Sequence, residues 1–145
     1  MEVVRDIEGL RDLVERARAA GRLVGLVPTM GFFHEGHLEL MRRARTECGV
    51  VVVTLFVNPT QFGPSEDYDA YPRDFERDSA LAEAVGVDYF FSPEAEEMYP
   101  EGFKTTVSVK ELSEVMCGEG RPGHFDGVAT VVAKLFNTIP AHKAY

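Results

Sequence analysis

Cysteine is scarce in this chain. Cys48 and Cys117 are too few for a disulfide scaffold and are not spaced as a metal site, so both read as free thiols of a reducing compartment. Side-chain amides are scarce as well: one Gln (Gln61) and two Asn (Asn58 and Asn137) among 145 residues, a composition that points toward a heat-adapted source. No apolar run approaches the roughly 20 residues needed to cross a bilayer. The start, Met1-Glu-Val-Val-Arg-Asp6, lacks the basic-then-apolar pattern of a signal peptide. Basic residues are outnumbered, 15 Lys and Arg against 24 Asp and Glu, which leaves a formal net charge of −9. Non-specific nucleic-acid binding needs a basic face and is excluded. An anionic small substrate stays open if its site gathers positive charge locally. Internal repeats and low-complexity segments are also missing. The expectation is a cytoplasmic chain with neither a membrane segment nor a nucleic-acid partner.

What is present centres on residues 22–37. An apolar run from Leu23 to Val27 stops at Pro28. A loop with Gly31 and Gly36 on either side of Phe32-Phe33 follows, and His34 and His37 lead into a helical pattern from Leu38. Strand, loop and helix in that order suit a phosphate. The first amides of a helix lack internal partners and carry partial positive charge. Glycine lets the backbone come close to a ligand, and imidazoles three residues apart can face one ligand as donors.

The rest of the chain alternates. Apolar positions at Ile7, Leu10, Leu13, Val14 and Ala17 predict a helix over 6–20, stopped by Gly21. Strand 22–27 and helix 37–47 flank the central loop. The β-branched run 50–57 suits a strand buried on both faces. Residues 58–72 read as loop, 73–85 as a helix with Phe75, Leu81, Ala82 and Val85 on one side, and 87–91 as a strand. Ser92-Pro93 reads as a cap and first turn of a short acidic helix. A strand at 105–109, a helical turn at 111–116, a glycine-rich loop at 117–124 and a helix at 124–138 complete the pattern. The fold class is α/β, a Rossmann-like open parallel sheet flanked by helices. Residues 140–145 read as the linker into a strand hardly present. Residues 1–145 are therefore expected to be an incomplete nucleotide-binding domain, truncated before its last strands.

Ligands of such sheets collect at the carboxyl ends of the strands. Three segments leave such ends or start helices there: Pro28–His37, Asn58-Pro-Thr-Gln61, and Arg121-Pro-Gly-His124. An amide offers both donor and acceptor, which suits a small hydroxy acid. Each segment also has a plainer reading. The histidines could cap a helix, Asn58–Gln61 could be a turn, Arg121 and His124 could be surface groups, and Phe32-Phe33 could be core. His-x-x-His without a third ligand is not a zinc site.

Taken together, Pro28-Thr-Met-Gly-Phe-Phe-His-Glu-Gly-His37, Phe56-Val-Asn-Pro-Thr-Gln-Phe62, Tyr71-Pro-Arg73 and Gly120-Arg-Pro-Gly-His-Phe-Asp-Gly-Val-Ala-Thr-Val-Val-Ala-Lys-Leu-Phe136 closely resemble the pantothenate synthetases, in order and spacing, over essentially the whole chain. His-x-x-His alone would indicate only the wider nucleotidyltransferase superfamily. The resemblance implies attack of pantoate on the α-phosphorus of Mg-ATP, giving pantoyl adenylate and pyrophosphate. Attack of β-alanine then gives pantothenate and AMP. It implies an ATP site lined by Met30, Gly31, Phe32, Phe33, His34, Glu35, Gly36 and His37, with His34 and His37 at the phosphates. It implies pantoate and β-alanine held by Gln61, with Met30, Asn58 and Tyr71 beside it, and Arg121 and His124 at the rim. Mg2+ would be held through the ATP phosphates, with no metal ligand from this chain, and the whole enzyme would be a homodimer. Where the family usually has Ala-Leu after Met-Gly, this sequence has Phe32-Phe33, which adds bulk to the loop. The family also continues with a Gly-x-Lys-Asp segment, a second pantoate-binding Gln, a Ser-Ser-Arg segment and a C-terminal domain. This stretch alone is therefore expected to be inactive or impaired. A nucleotidyltransferase for another small substrate, or a non-catalytic binding or dimerisation domain, are the alternatives.

The pantoate carboxylate is already ionised, so the first step needs no general base. His34 and His37 are expected to stabilise charge, with His37 also a proton donor. One charge pair at ~4 Å and an effective dielectric near 20 is worth ~4 kcal/mol, against ~0.3–1 kcal/mol from a helix dipole. The rings are expected to be neutral when the site is empty, and at least one cationic when ATP is bound.

Overall fold

Val50, Val51, Val52 and Val53 are all fully buried, alternating between two separate apolar clusters. A strand covered on both faces must lie inside a sheet, and this one does. The computed structural model describes every residue except 64, 65 and 67, so Pro64 and Asp67 of the expected loop lie outside the described residues. Glu2–Val4 (β1), Val24–Thr29 (β2), Val50–Leu55 (β3), Tyr89–Phe91 (β4) and Lys143–Ala144 (β5) form one sheet in the order β1-β4-β3-β2-β5. Every pairing is parallel.

Helices Ile7–Ala19 (α1) and His124–Thr138 (α6) cover one face. There Leu10, Val14, Leu135 and Ile139 pack on Leu26, Val50 and Val52. Glu35–Glu47 (α2) and Phe75–Ala84 (α3) cover the other, where Leu38, Met41, Ala44 and Ala82 meet Val27, Val51 and Val53. Short helices Ala95–Met98 (α4) and Cys117–Gly120 (α5) and 3-10 turns at Pro59–Gln61 and Leu112–Glu114 fill the connections. This is the expected Rossmann-like architecture. Among the described residues no helix is long and apolar enough to cross a membrane.

Several local expectations are corrected. β1 has no counterpart in the sequence pattern; its three residues pair with β4 across most of the chain. Residues 105–109 form no strand, and their amide at Val107 donates instead to Thr130 Oγ1 at 2.9 Å. Ser92-Pro93 does not cap α4, whose N-cap is Glu94 without a side-chain bond. α2 begins at Glu35, two residues early, because His34 caps it. Residues 143–144 do reach the sheet and pair with Gly25 and Leu26.

The order fixes where a ligand belongs. From β2 the chain moves outward through β3 to β4, while β5 lies on the other side of β2. The crevice at such a reversal opens beyond the carboxyl end of β2, where Met30–His34 runs.

Candidate active site

Gly31 (φ +84°) and Phe32 (φ +53°) are both left-handed. Gly31 is needed there, since a Cβ would also stand 3.0 Å from Asp78 Oδ2. For Phe32 the conformation costs on the order of 1 kcal/mol. The two turned residues present adjacent amides to one carboxylate. Phe32 N–H donates to Asp78 Oδ2 at 2.5 Å and Phe33 N–H to Asp78 Oδ1 at 2.8 Å. Asp78, on α3, is completely buried. Its neighbour Arg77 donates to Phe33 O at 2.9 Å and places its guanidinium 5.5 Å from the Phe32 ring centre. These amides, from two residues that the resemblance places in the ATP site, are therefore already bonded. Phe33 points into the core against Phe90 and His37, and Phe32 is half exposed beside Arg77, so the added bulk leaves the histidine side of the loop open.

His34 and His37 lie side by side, ring centres 4.1 Å apart. His34 Nδ1 accepts the Gly36 amide at 3.1 Å, and His37 Nδ1 accepts the His34 amide at 3.3 Å. Both cap the helix, in line with the plainer reading, yet each ring caps with one nitrogen only. A neutral ring that accepts at Nδ1 carries its proton on Nε2, which leaves two Nε2–H donors. Burial, and then the neighbouring His34, hold the His37 pKa below its usual value, with the Asp78 carboxylate acting the other way.

Gln61 is fixed by three elements. Asn58 Nδ2 donates to Gln61 Oε1 and to Gly127 O, both at 3.1 Å, and Asn58 Oδ1 accepts from Tyr99 OH at 2.7 Å. Asn58 is 1% exposed and fully engaged, so it shapes the site through Gln61. Among the described residues Gln61 Nε2 meets only Met30 Sδ, at 3.2 Å, a weak acceptor that a ligand oxygen can displace. Glycine at 127 lets α6 lie against this turn; a Cβ there would be 2.5 Å from Thr60 O.

A cavity of about 290 Å³ joins these groups, lined by Met30, His37, Asn58, Gln61 and Tyr71, with Val128 and Val131 of α6 as its apolar wall. Two of the three candidate segments thus meet. The third does not line the cavity and reaches it through the Gln61 backbone. His124 Nδ1 lies 2.8 Å from Gln61 O, so it carries the proton, and Arg121 donates to His124 Nε2 at 3.2 Å. Arg121 also pairs with Glu66, whose carboxyl is held below its usual pKa by the Gly63 amide first and Arg121 second. Burial raises the Tyr71 phenol pKa. Glu35 faces away, paired with Arg42 at 2.6 Å. Among the described residues no group of three or more His, Cys, Asp or Glu could hold a metal ion.

The family model described as pantoate-beta-alanine ligase matches residues 2–145. The chain belongs to the pantoate-beta-alanine ligase family. It is 57% identical to the pantothenate synthetase of Caldicellulosiruptor bescii over all of this chain and 51% of that protein. It is 54% identical to that of Aquifex aeolicus over 97% of this chain and 50% of that one. The crystal structure of pantothenate synthetase from Thermus thermophilus superposes with a TM-score of 0.94 at 53% identity, covering 100% of this chain and 51% of that chain. The Francisella tularensis pantoate-beta-alanine ligase, complexed with beta-gamma ATP and beta-alanine, superposes at 0.93 with 35% identity, over 100% of this chain and 56% of that one. The chain spans about half the length of the curated relatives it matches. In this member of the ligase family, sequence reading missed Asp78 and Tyr99. A signal for Asp78 exists: it is an acid in helical register with Phe75, Ala82 and Val85 on the apolar stripe of α3.

Proposed function

We propose that this chain is the nucleotide-binding part of an ATP-dependent ligase that joins pantoate to β-alanine through pantoyl adenylate, releasing pyrophosphate and then AMP. The observation that carries this reading is the shared cavity. Gln61 Nε2, which among the described residues has only a thioether partner, and His37, from the helix cap, line one hollow of about 290 Å³. A small hydroxy acid seated against Gln61 and Met30 would have its carboxylate near the imidazole pair. There the chain's task is alignment and charge stabilisation. Gln61 orients the acid, the α6 valines exclude water, and the Nε2–H donors of His34 and His37 receive the phosphate oxygens as charge moves toward pyrophosphate. In this reading His37 also gives a proton.

A cationic ring cannot accept at Nδ1. Charging either ring beside a triphosphate therefore frees one amide, Gly36 or His34, to turn toward the same anion. Mg2+ would arrive on the phosphates and supply counter-charge. The complete ligase is read as a homodimer; the exposed apolar side chains of Val109, Leu112 and Met116 support a self-association surface.

Calorimetry on the chain with pantoate and with ATP tests the reading. Pantoate is expected to bind, and Gln61→Ala to weaken it by about tenfold or more, the worth of a hydrogen bond to a charged group, with ATP affected less. No heat for either ligand would leave a bare scaffold, and a Gln61→Ala effect confined to ATP would reassign the residue.

A further inference from the structure

We propose that Asp78 is a positioning residue: its buried carboxylate fills the anion nest made by the Phe32 and Phe33 amides, so that the loop is shaped by the protein's own anion and the triphosphate is directed to the His34–His37 pair. Consecutive amides turned by left-handed residues form a concavity that binds anions, and Gly31 and Phe32 are such residues. In this chain the concavity is already occupied. Both oxygens of one fully buried carboxylate accept its two amides, at 2.5 and 2.8 Å.

Arg77 braces the same carboxylate at 3.4 Å and the Phe33 carbonyl at 2.9 Å. The loop is thereby tied at both its amides and its carbonyl to one turn of α3. Two consequences reach the site. Phe32, in a conformation that side chains avoid, is held there by a bond to a charged acceptor. The next residue but one, His34, begins the helix cap, so the position of both rings follows from where Asp78 holds Phe33. A phosphate cannot use the occupied amides, whereas the Nε2–H donors, which make no bond among the described residues, are free to receive it.

The part concerning the triphosphate rests on the proposed function; the part concerning the loop does not. Asp78→Asn keeps the shape and removes the charge and one acceptor. Amide exchange at Phe32 and Phe33, followed by nuclear magnetic resonance, is expected to quicken by about tenfold or more in the variant, while the β2 and β3 amides keep their protection. The ATP dissociation constant is expected to rise by about tenfold and that of pantoate by less than about threefold, because pantoate sits against Gln61. Unchanged exchange at Phe32 and Phe33 overturns the proposal, as does equal weakening of both ligands. If neither ligand binds the unaltered chain, the proposed function fails for it, and the exchange comparison alone decides the role of Asp78. Should the variant not fold, the unaltered chain decides. The Phe32 and Phe33 amide signals are expected to stay in place as ATP is added while the ring Nε2 signals move, and the reverse pattern overturns the proposal.

Discussion

His37 uses one side of its ring to cap: Nδ1 accepts the His34 amide, and Nε2 makes no bond among the described residues. The ring is partly buried beside a second imidazole, and both circumstances depress its pKa below the usual 6.5. The unfolded chain therefore takes up this proton at a higher pH than the folded one. Its contribution to stability is full above 6.5 and declines as pH falls from there toward the lowered value. Nitrogen-15 spectra of the free chain are expected to show His37 as the Nε2–H tautomer at neutral pH, with a midpoint below 6.5. A Nδ1–H tautomer would contradict the capping geometry. The pair was legible in the sequence because histidine is rare here and the spacing falls at a helix start. Gln61 stood out as the single Gln. Asp78 shows in the sequence only as an acid on the apolar stripe of α3; its partners lie more than forty positions earlier in the chain, and no local pattern reports a bond to a distant backbone amide.

Among the elements that build the site, the contact between α6 and the Pro59–Gln61 turn leaves no room for a side chain. Asn58 bonds to Gly127 O, and an added Cβ at 127 would meet Thr60 O at 2.5 Å and Gln61 Cα at 2.7 Å. Gly127→Ala is expected to cost about 1–3 kcal/mol, as overpacking does, and to weaken pantoate binding by moving Gln61. Denaturant midpoints with parallel calorimetry check both; an unchanged midpoint would mean that the helix can retreat freely. Periodicity located α1, α2, α3 and α6 within a residue or two and β2, β3 and β4 nearly as well, because their apolar faces repeat with helical or strand period. It misread Thr105–Val109, whose alternating β-branched residues suit a strand, since no strand of the sheet pairs with them. It overlooked β1, where three residues carry too little pattern to register.

Over the whole molecule, the β5 edge of the sheet is joined to α2 through Glu47. Its carboxylate receives Lys143 at 2.7 Å and Tyr145 OH at 3.0 Å and pairs with Arg43, binding the end of α2 to β5. These donors, Lys143 foremost, lower its pKa from 4.5 to about 2. The unfolded chain binds this proton first as pH falls, so the contribution is present above 4.5 and lost progressively toward 2. Glu47→Gln is expected to flatten the pH dependence of the denaturant midpoint across that window; a slope equal to that of the unaltered chain would remove Glu47 from the account. The topology has a kinetic side as well. Val24 pairs with Val50, whereas Glu2 pairs with Tyr89. Closing the longer span, about threefold in length, costs roughly 1 kcal/mol more in chain entropy. Of the two strands, β1 is thus the one that must wait for the more distant neighbour, and the central hairpin-free pair can zip long before the outer selvedge of the sheet is sewn on.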